Sequence, residues 1–187
     1  VWNGWSYPGF EGKPIQIDVY SPGDSVELFL NGKSLGTEKP QRFTAKFETV
    51  YEPGVLEAVS YRDGVELSRD RVETAGKPVK LVFKPEQTVA DAGGQSLFFV
   101  LVEFQDGEGR RVPWASLPLT AVVEGAASLQ SFASANPVSD DNFTTGTITS
   151  FDGRALAILR TGKTPGKAVL TVTSPGFEPV SQELEVR

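Results

Sequence analysis

The strongest constraint on this chain is an alternation of apolar and polar residues with period two, broken by turn residues every eight to twelve positions. That pattern puts successive side chains on opposite faces, which suits strands with one buried face and leaves no convincing helix. The clearest unit is "VELFLNGKSLGT". Val26, Leu28 and Leu30 share a face there, and Asn31-Gly32 is a preferred pair for a two-residue type I′ hairpin turn. "LEAVSYRDGVELSRDRVET" repeats the device around Asp63-Gly64. "PIQIDVY" supplies a strand before these, with Ile15, Ile17 and Val19 on one face.

The length of 187 residues exceeds what one small sandwich needs and allows two domains. "TAGKPVKLVF" marks the junction. Thr74-Ala75-Gly76 ends one alternation, Pro78 interrupts, and Val79, Leu81 and Phe83 begin another. We therefore expect domains over 1–76 and 77–187. In the second, "SLFFVLVEFQDGEGRRVPW" predicts a long apolar strand and a hairpin turn at Asp106–Gly109. "RALAILRTGKTPGKAVLTVTSP" predicts another hairpin, turning at Thr164–Gly166, and "ELEVR" a closing strand. Each half offers about six to eight strands, the size of an immunoglobulin-like sandwich. The expected fold is all-β: two consecutive immunoglobulin-like β-sandwich domains.

Charge and residue types narrow the chemistry. The net charge of −6 is spread over both halves, with 8 basic and 12 acidic residues in 1–76 and 10 and 12 in 77–187. Nucleic acid and anionic membranes both call for clustered Lys and Arg, so neither is an expected partner. No apolar run approaches the roughly 20 residues that span a bilayer. The sequence has neither cysteine nor histidine. Disulfides, thiolate metal sites, cysteine nucleophiles, Ser-His-Asp catalysis and histidine-bound zinc are thereby excluded. Lack of cysteine fits an exported bacterial protein, and many cytosolic proteins lack it as well. The chain opens in aromatic residues without an initiator Met, as expected of a piece of a longer polypeptide.

"NGKS" at 31–34 and "TGKT" at 161–164 look like the end of a phosphate-binding loop, but Glu27 and Ala157 stand where its first Gly belongs. Carboxylates could work in pairs roughly 5 to 10 Å apart, as glycosidases use them. Here the acidic residues fall in turns and at outward positions, as solvated surface does. "ANPVSDDNF" at 135–143 gathers Asn136, Asp140, Asp141 and Asn142. These oxygens could serve Ca²⁺, which takes about six to eight ligands, and they are equally plain turn formers. Asn142-Phe143-Thr144 is also a glycosylation sequon, meaningful only in a eukaryotic secretory host.

The opening "VWNGWSYPGF" holds the best site candidates. Trp2, Trp5 and Tyr7 could stack on sugar faces, yet large rings more often fill cores and interfaces. Trp114 follows Pro113 and reads as packing between sandwich and linker, with sugar contact as the alternative.

"WNGWSYPGFEGKPIQIDVYSPGDSVELFLNGKSLG" resembles the domain that follows the catalytic barrel in many bacterial family 2 glycoside hydrolases, chiefly β-galactosidases. The resemblance runs through Trp2, Asn3, Trp5, Pro8, Gly9, Glu11, Gly12, Lys13 and residues 26–36, with Gly4 inserted in the first motif. "YEPGVLEAVSYRDG" and Thr74-Ala75-Gly76 continue it. "FFVLVEFQDGEGRRVP", "ASANPVSDDNF" and "FDGRALAILRTGKTPGKAVLTVTSPGF" resemble the bacterial Ig-like domain found at the C-terminus of the same enzymes. The resemblance implies a non-catalytic C-terminal piece whose catalytic glutamates lie on an upstream barrel, its main partner. It implies a periplasmic or secreted setting, no cofactor and no metal. Trp2, Trp5 and Tyr7 would then pack on the barrel or their own sandwich. A carbohydrate-binding module offering Trp and Tyr rings to glycans is the competing expectation.

Overall fold

The computed structural model describes residues 4–187, and no helix occurs among them. The chain divides into two compact units, Val1–Ala75 and Gly76–Arg187. The architecture is all-β, as the alternation predicts.

The first unit contains β1 (Pro14–Tyr20), β2 (Ser25–Leu30), β3 (Lys33–Glu38), β4 (Thr44–Val50), β5 (Val55–Arg62) and β6 (Val65–Glu73). A four-stranded antiparallel sheet runs β3-β2-β5-β6, and β1 pairs with β4 in a sheet of only two strands. The two expected hairpins form. Asn31 and Gly32 have φ of 52° and 78°, Asp63 and Gly64 of 52° and 77°, all in the left-handed region a type I′ turn requires. Val26, Leu28 and Leu30 of β2 bury their shared face against Ala45 and Phe47 of β4. Burial of such side chains, at about 25 cal/mol per Å², is what holds the sheets together without disulfides.

The second unit contains β7 (Lys80–Pro85), β8 (Val89–Ala90), β9 (Leu97–Gln105), β10 (Pro118–Gly125), β11 (Ala127–Ala133), β12 (Thr147–Thr149), β13 (Arg154–Thr161), β14 (Gly166–Thr173) and β15 (Val180–Val186). They form sheets of order β11-β13-β9-β7 and β12-β10-β14-β15-β8. Phe98, Val100, Val102 and Phe104 of β9 are fully buried, as are Leu170 and Val172 of β14. Nine strands exceed the six to eight expected for this half.

One expectation is corrected here. β13 and β14 are not hairpin partners: β13 pairs with β9 and β11, whereas β14 pairs with β10 and β15. Residues 162–165 carry the chain from one sheet to the other. Both strands bury alternate residues, so a crossover and a hairpin leave the same period-two signature in sequence. The turn at Asp106–Gly109 does form. The Asp106 carboxylate accepts the N–H groups of Gly76 (2.8 Å), Glu108 (3.0 Å) and Arg110 (2.8 Å), and the return is limited to a bridge between Gln105 and Arg111.

Candidate functional site: an open groove in the first unit

Trp2 lies outside the described residues. Trp5 is 2% exposed and belongs to the core of the first unit. Its indole N–H donates to the Glu52 carbonyl at 2.9 Å, and its own carbonyl accepts the Thr74 hydroxyl at 2.6 Å. Thr74 follows β6, so the entering segment is pinned to the end of the four-stranded sheet. The Ala75 N–H, which donates to Ser6 Oγ at 2.9 Å, adds a second tie.

Tyr7 is half-buried, and its ring meets those of Trp5 and Tyr51 edge-on, at 89° and 80°. Trp5 and Tyr51 meet at 64° with centroids 4.9 Å apart. Edge-to-face contact is the favoured aromatic packing, and it leaves no pair of coplanar faces among these three. Burial, and then the neighbouring Tyr51, push the Tyr7 phenol up, so it stays a donor to the Gly4 carbonyl at 3.3 Å. Trp114 lies in the second unit, between β9 and β10, with 38% of its surface exposed.

A groove of about 610 Å³ in the first unit has Trp5 and Tyr7 in its lining. Its cause is a mismatch of sheet widths. Two strands face four, and the lining joins β1 to β5 and β6. Register shows which residues form the floor: Leu56, Ala58 and Ser60 of β5 pair with Val72, Asp70 and Ser68 of β6, so these six share a face. On β5 that face is well covered. On β6, Ser68 and Asp70 are exposed because no strand lies over them. The opposite wall is Ile15, Ile17 and Val19 of β1, all only half-buried. At one end, Ser21 and Ser60 share a hydroxyl hydrogen bond of 2.5 Å.

The sequence marks the rings but not the groove. A signal was present in "VELSRDRVE". The positions sharing a face with Val72 are Ser68 and Asp70, which are polar where a covered strand would be apolar.

Two of the acidic groups the sequence points to are held in contacts within the second unit. Glu103 on β9 is 1% exposed and pairs with Lys84 and with Arg154 at 2.9 Å. In the loop at 135–143, oxygens turn back on the chain. Asn136 Oδ1 accepts the Val138 N–H at 3.2 Å, Ser139 Oγ that of Asp141 at 3.1 Å, and Asp141 Oδ2 that of Thr149 at 3.2 Å.

The two units are thus sandwich modules, one of them with an open apolar groove. The chain belongs to the family described as glycoside hydrolase family 2 C-terminal domain 5, which matches residues 81–183, more than half of its length. Residues 12–68 match a domain of unknown function, DUF4982. Among curated proteins, the chain is 33% identical over 181 residues to β-galactosidase BoGH2A of Bacteroides ovatus, covering 94% of this chain and 20% of that protein. It is 30% identical over 176 residues to a putative β-glucuronidase of Formosa agariphila, covering 91% and 17%. A family 2 glycosyl hydrolase structure from Bacteroides cellulosilyticus superposes with a TM-score of 0.95 at 32% identity, over 98% of this chain and 24% of that one. A β-glycosidase from Bacteroides vulgatus gives 0.88 at 26%, over 99% and 24%. The chain spans about a fifth of the length of these curated relatives.

Proposed function

We propose that this chain is the non-catalytic C-terminal portion of a β-galactosidase-like family 2 glycoside hydrolase and supports its catalytic barrel by packing. The carrying observation is that nearly the whole chain matches a stretch amounting to only about a fifth of glycoside hydrolases of this family. Residues 1–76 serve as the accessory domain next to the barrel and 77–187 as the Ig-like terminal domain. The setting is periplasmic or secreted. Support by packing fits the rings. Trp5 is buried edge-on against Tyr51, where a sugar platform needs flat faces open to water. The same geometry weighs against the carbohydrate-binding reading, for which Trp114 is the best exposed of the described candidates.

Two measurements test the proposal. The purified chain, incubated with aryl-β-galactosides and aryl-β-glucuronides, is expected to release no more aryl alcohol than buffer does; turnover above that level would reject it. The parent enzyme truncated before Trp2 is expected to lose thermal stability and activity. A truncated enzyme that keeps both would show that the barrel needs no such support.

A further inference from the structure

We infer that the groove of the first unit receives an extended polypeptide strand with alternating apolar and basic side chains, donated by the rest of the longer enzyme and added to the free edge of β1. This inference rests on the function proposed above. Three observations carry it.

The first is the edge itself. Among the described residues β1 pairs with β4 alone. Its ladder parity follows from the flanking bonds: the Ser21 N–H donates to Phe43 at 2.9 Å and the Lys13 carbonyl accepts from Tyr51 at 2.9 Å. Odd-numbered residues therefore bond β4. The N–H and C=O groups of Gln16, Asp18 and Tyr20 point to the open side. Exposed edges are normally blunted by bulges, inward charges or Pro. Only Pro14, at the start of β1, does so here. The β6 edge, by contrast, carries Glu66, Arg69, Asp70, Arg71 and Glu73.

The second is the vacant width. Ile15, Ile17 and Val19 on one wall and Val72 on the floor are left partly open. One further strand beside β1 would bring the narrow sheet to three strands against the four opposite. Its inward side chains would lie beside Ile15, Ile17 and Val19 and must be apolar.

The third is charge. Asp18 accepts from Gln16 Nε2 at 2.8 Å, and Asp70 from the Arg71 N–H at 2.8 Å. Lys46 stands opposite Asp18 across β1 and β4, but among the described residues neither carboxylate closes an ion pair, and the Arg71 guanidinium is held by Glu73 at 2.5 Å. Asp18 alternates outward, so an outward Lys or Arg on the added strand would stand beside it as a cross-strand neighbour. The donor is the longer polypeptide because Gly4 and Trp5 themselves line the groove. Any segment joined to Gly4 is tethered beside the groove, which gives it a high effective concentration.

The test uses the whole 187-residue chain and an acetylated peptide, Thr-Val-Lys-Val-Lys-Val-Thr-amide. In the free chain the amides of Gln16, Asp18 and Tyr20 are expected to exchange with deuterium quickly. In the peptide complex they slow by at least about tenfold. Replacing both Lys by Glu abolishes binding, and Asp18→Lys weakens it by about tenfold. In the intact parent enzyme the same three amides are protected without any peptide. Binding that leaves these amides unchanged would overturn the proposal. So would their protection in a dimer of the free chain, which would make a second copy the occupant. The two readings fail separately: a parent enzyme stabilised by this chain, but with freely exchanging Gln16, Asp18 and Tyr20 amides, would sink the added strand and leave the proposed function standing.

Discussion

The indole N–H of Trp5 donates to the carbonyl oxygen of Glu52, 47 positions along the chain, at 2.9 Å. The bond closes the sandwich end where the polypeptide enters and satisfies the one polar atom of a ring buried with Tyr51. Trp5→Ala removes that bond and leaves a large cavity, so the first unit is expected to lose about 3–5 kcal/mol. Trp5→Phe, which keeps most of the volume, should cost less. Urea unfolding followed by amide signals of the first unit measures both. A Trp5→Ala variant as stable as the parent would contradict the core role assigned to the ring.

Asn31 and Gly54 form a second long-range lock. Asn31 Oδ1 accepts the Val55 N–H at 2.8 Å, and its Nδ2 donates to Pro53 at 3.1 Å. A Cβ on Gly54 would fall on the Asn31 amide, and Gly54 has φ of 140°, a conformation nearly confined to glycine. Gly54→Ala is expected to destabilise the unit by more than about 2 kcal/mol. Asn31→Ala frees the space but loses two hydrogen bonds. The double variant should therefore fall short of the sum by about 1 kcal/mol, which a double-mutant cycle reads directly.

Phe43 gives a prediction of opposite sign. Arg42 and Phe43 occupy the left-handed region, with φ of 50° and 68°, and Phe43 is 70% exposed. The turn into β4 is thus of the kind Asn-Gly favours, filled instead by two residues with no liking for it. Phe43→Gly gives up little burial and relieves strain, so a gain of about 0.5–1 kcal/mol is expected. The urea midpoint should rise at unchanged slope. A fall would mean that the ring packs in solution.

Acid should unfold the second unit through two buried carboxylates. Burial pushes the Glu103 carboxyl up, but the Lys84 hydrogen bond and charge, with Arg154, outweigh it and hold the group below its ordinary value. Burial likewise acts upward on Asp106, and the N–H groups of Gly76, Arg110 and Glu108 outweigh it. Both native values are depressed relative to about 4.3 for Glu and about 3.9 for Asp in the unfolded chain. Their stabilisation is therefore fully present above those values and is lost as pH falls through the lower native ones. Glu103→Gln with Asp106→Asn should lower stability at neutral pH and flatten its fall between about pH 5 and 2. Urea midpoints across that range provide the check, and an unchanged acid slope would place the titrating groups elsewhere.

Much of the fold was legible in local residue order. Alternation marks β2, β5 and β9, and Asn31-Gly32 and Asp63-Gly64 set their hairpins, because period-two burial and type I′ turns are imposed by neighbouring residues. The family resemblance was carried by the same stretches. The turn at Arg42-Phe43 was illegible, since those residue types do not favour it and the pairing of Gln41 with Thr44 imposes it. The chain order around residues 162–165 was equally silent on whether β14 returns beside β13 or crosses to the other sheet.

Which face of each strand seeks burial, and where the chain must turn, was settled by the residues in order, because those preferences act over a few positions. How many strands stand opposite one another was decided only in three dimensions. That count leaves β1 with a bare edge, uncovers Ser68 and Asp70, and decides for Trp5 between the sugar-facing and the packing readings in favour of the core. Sheet partnership is a property of surfaces brought together from distant positions, and no local pattern encodes it.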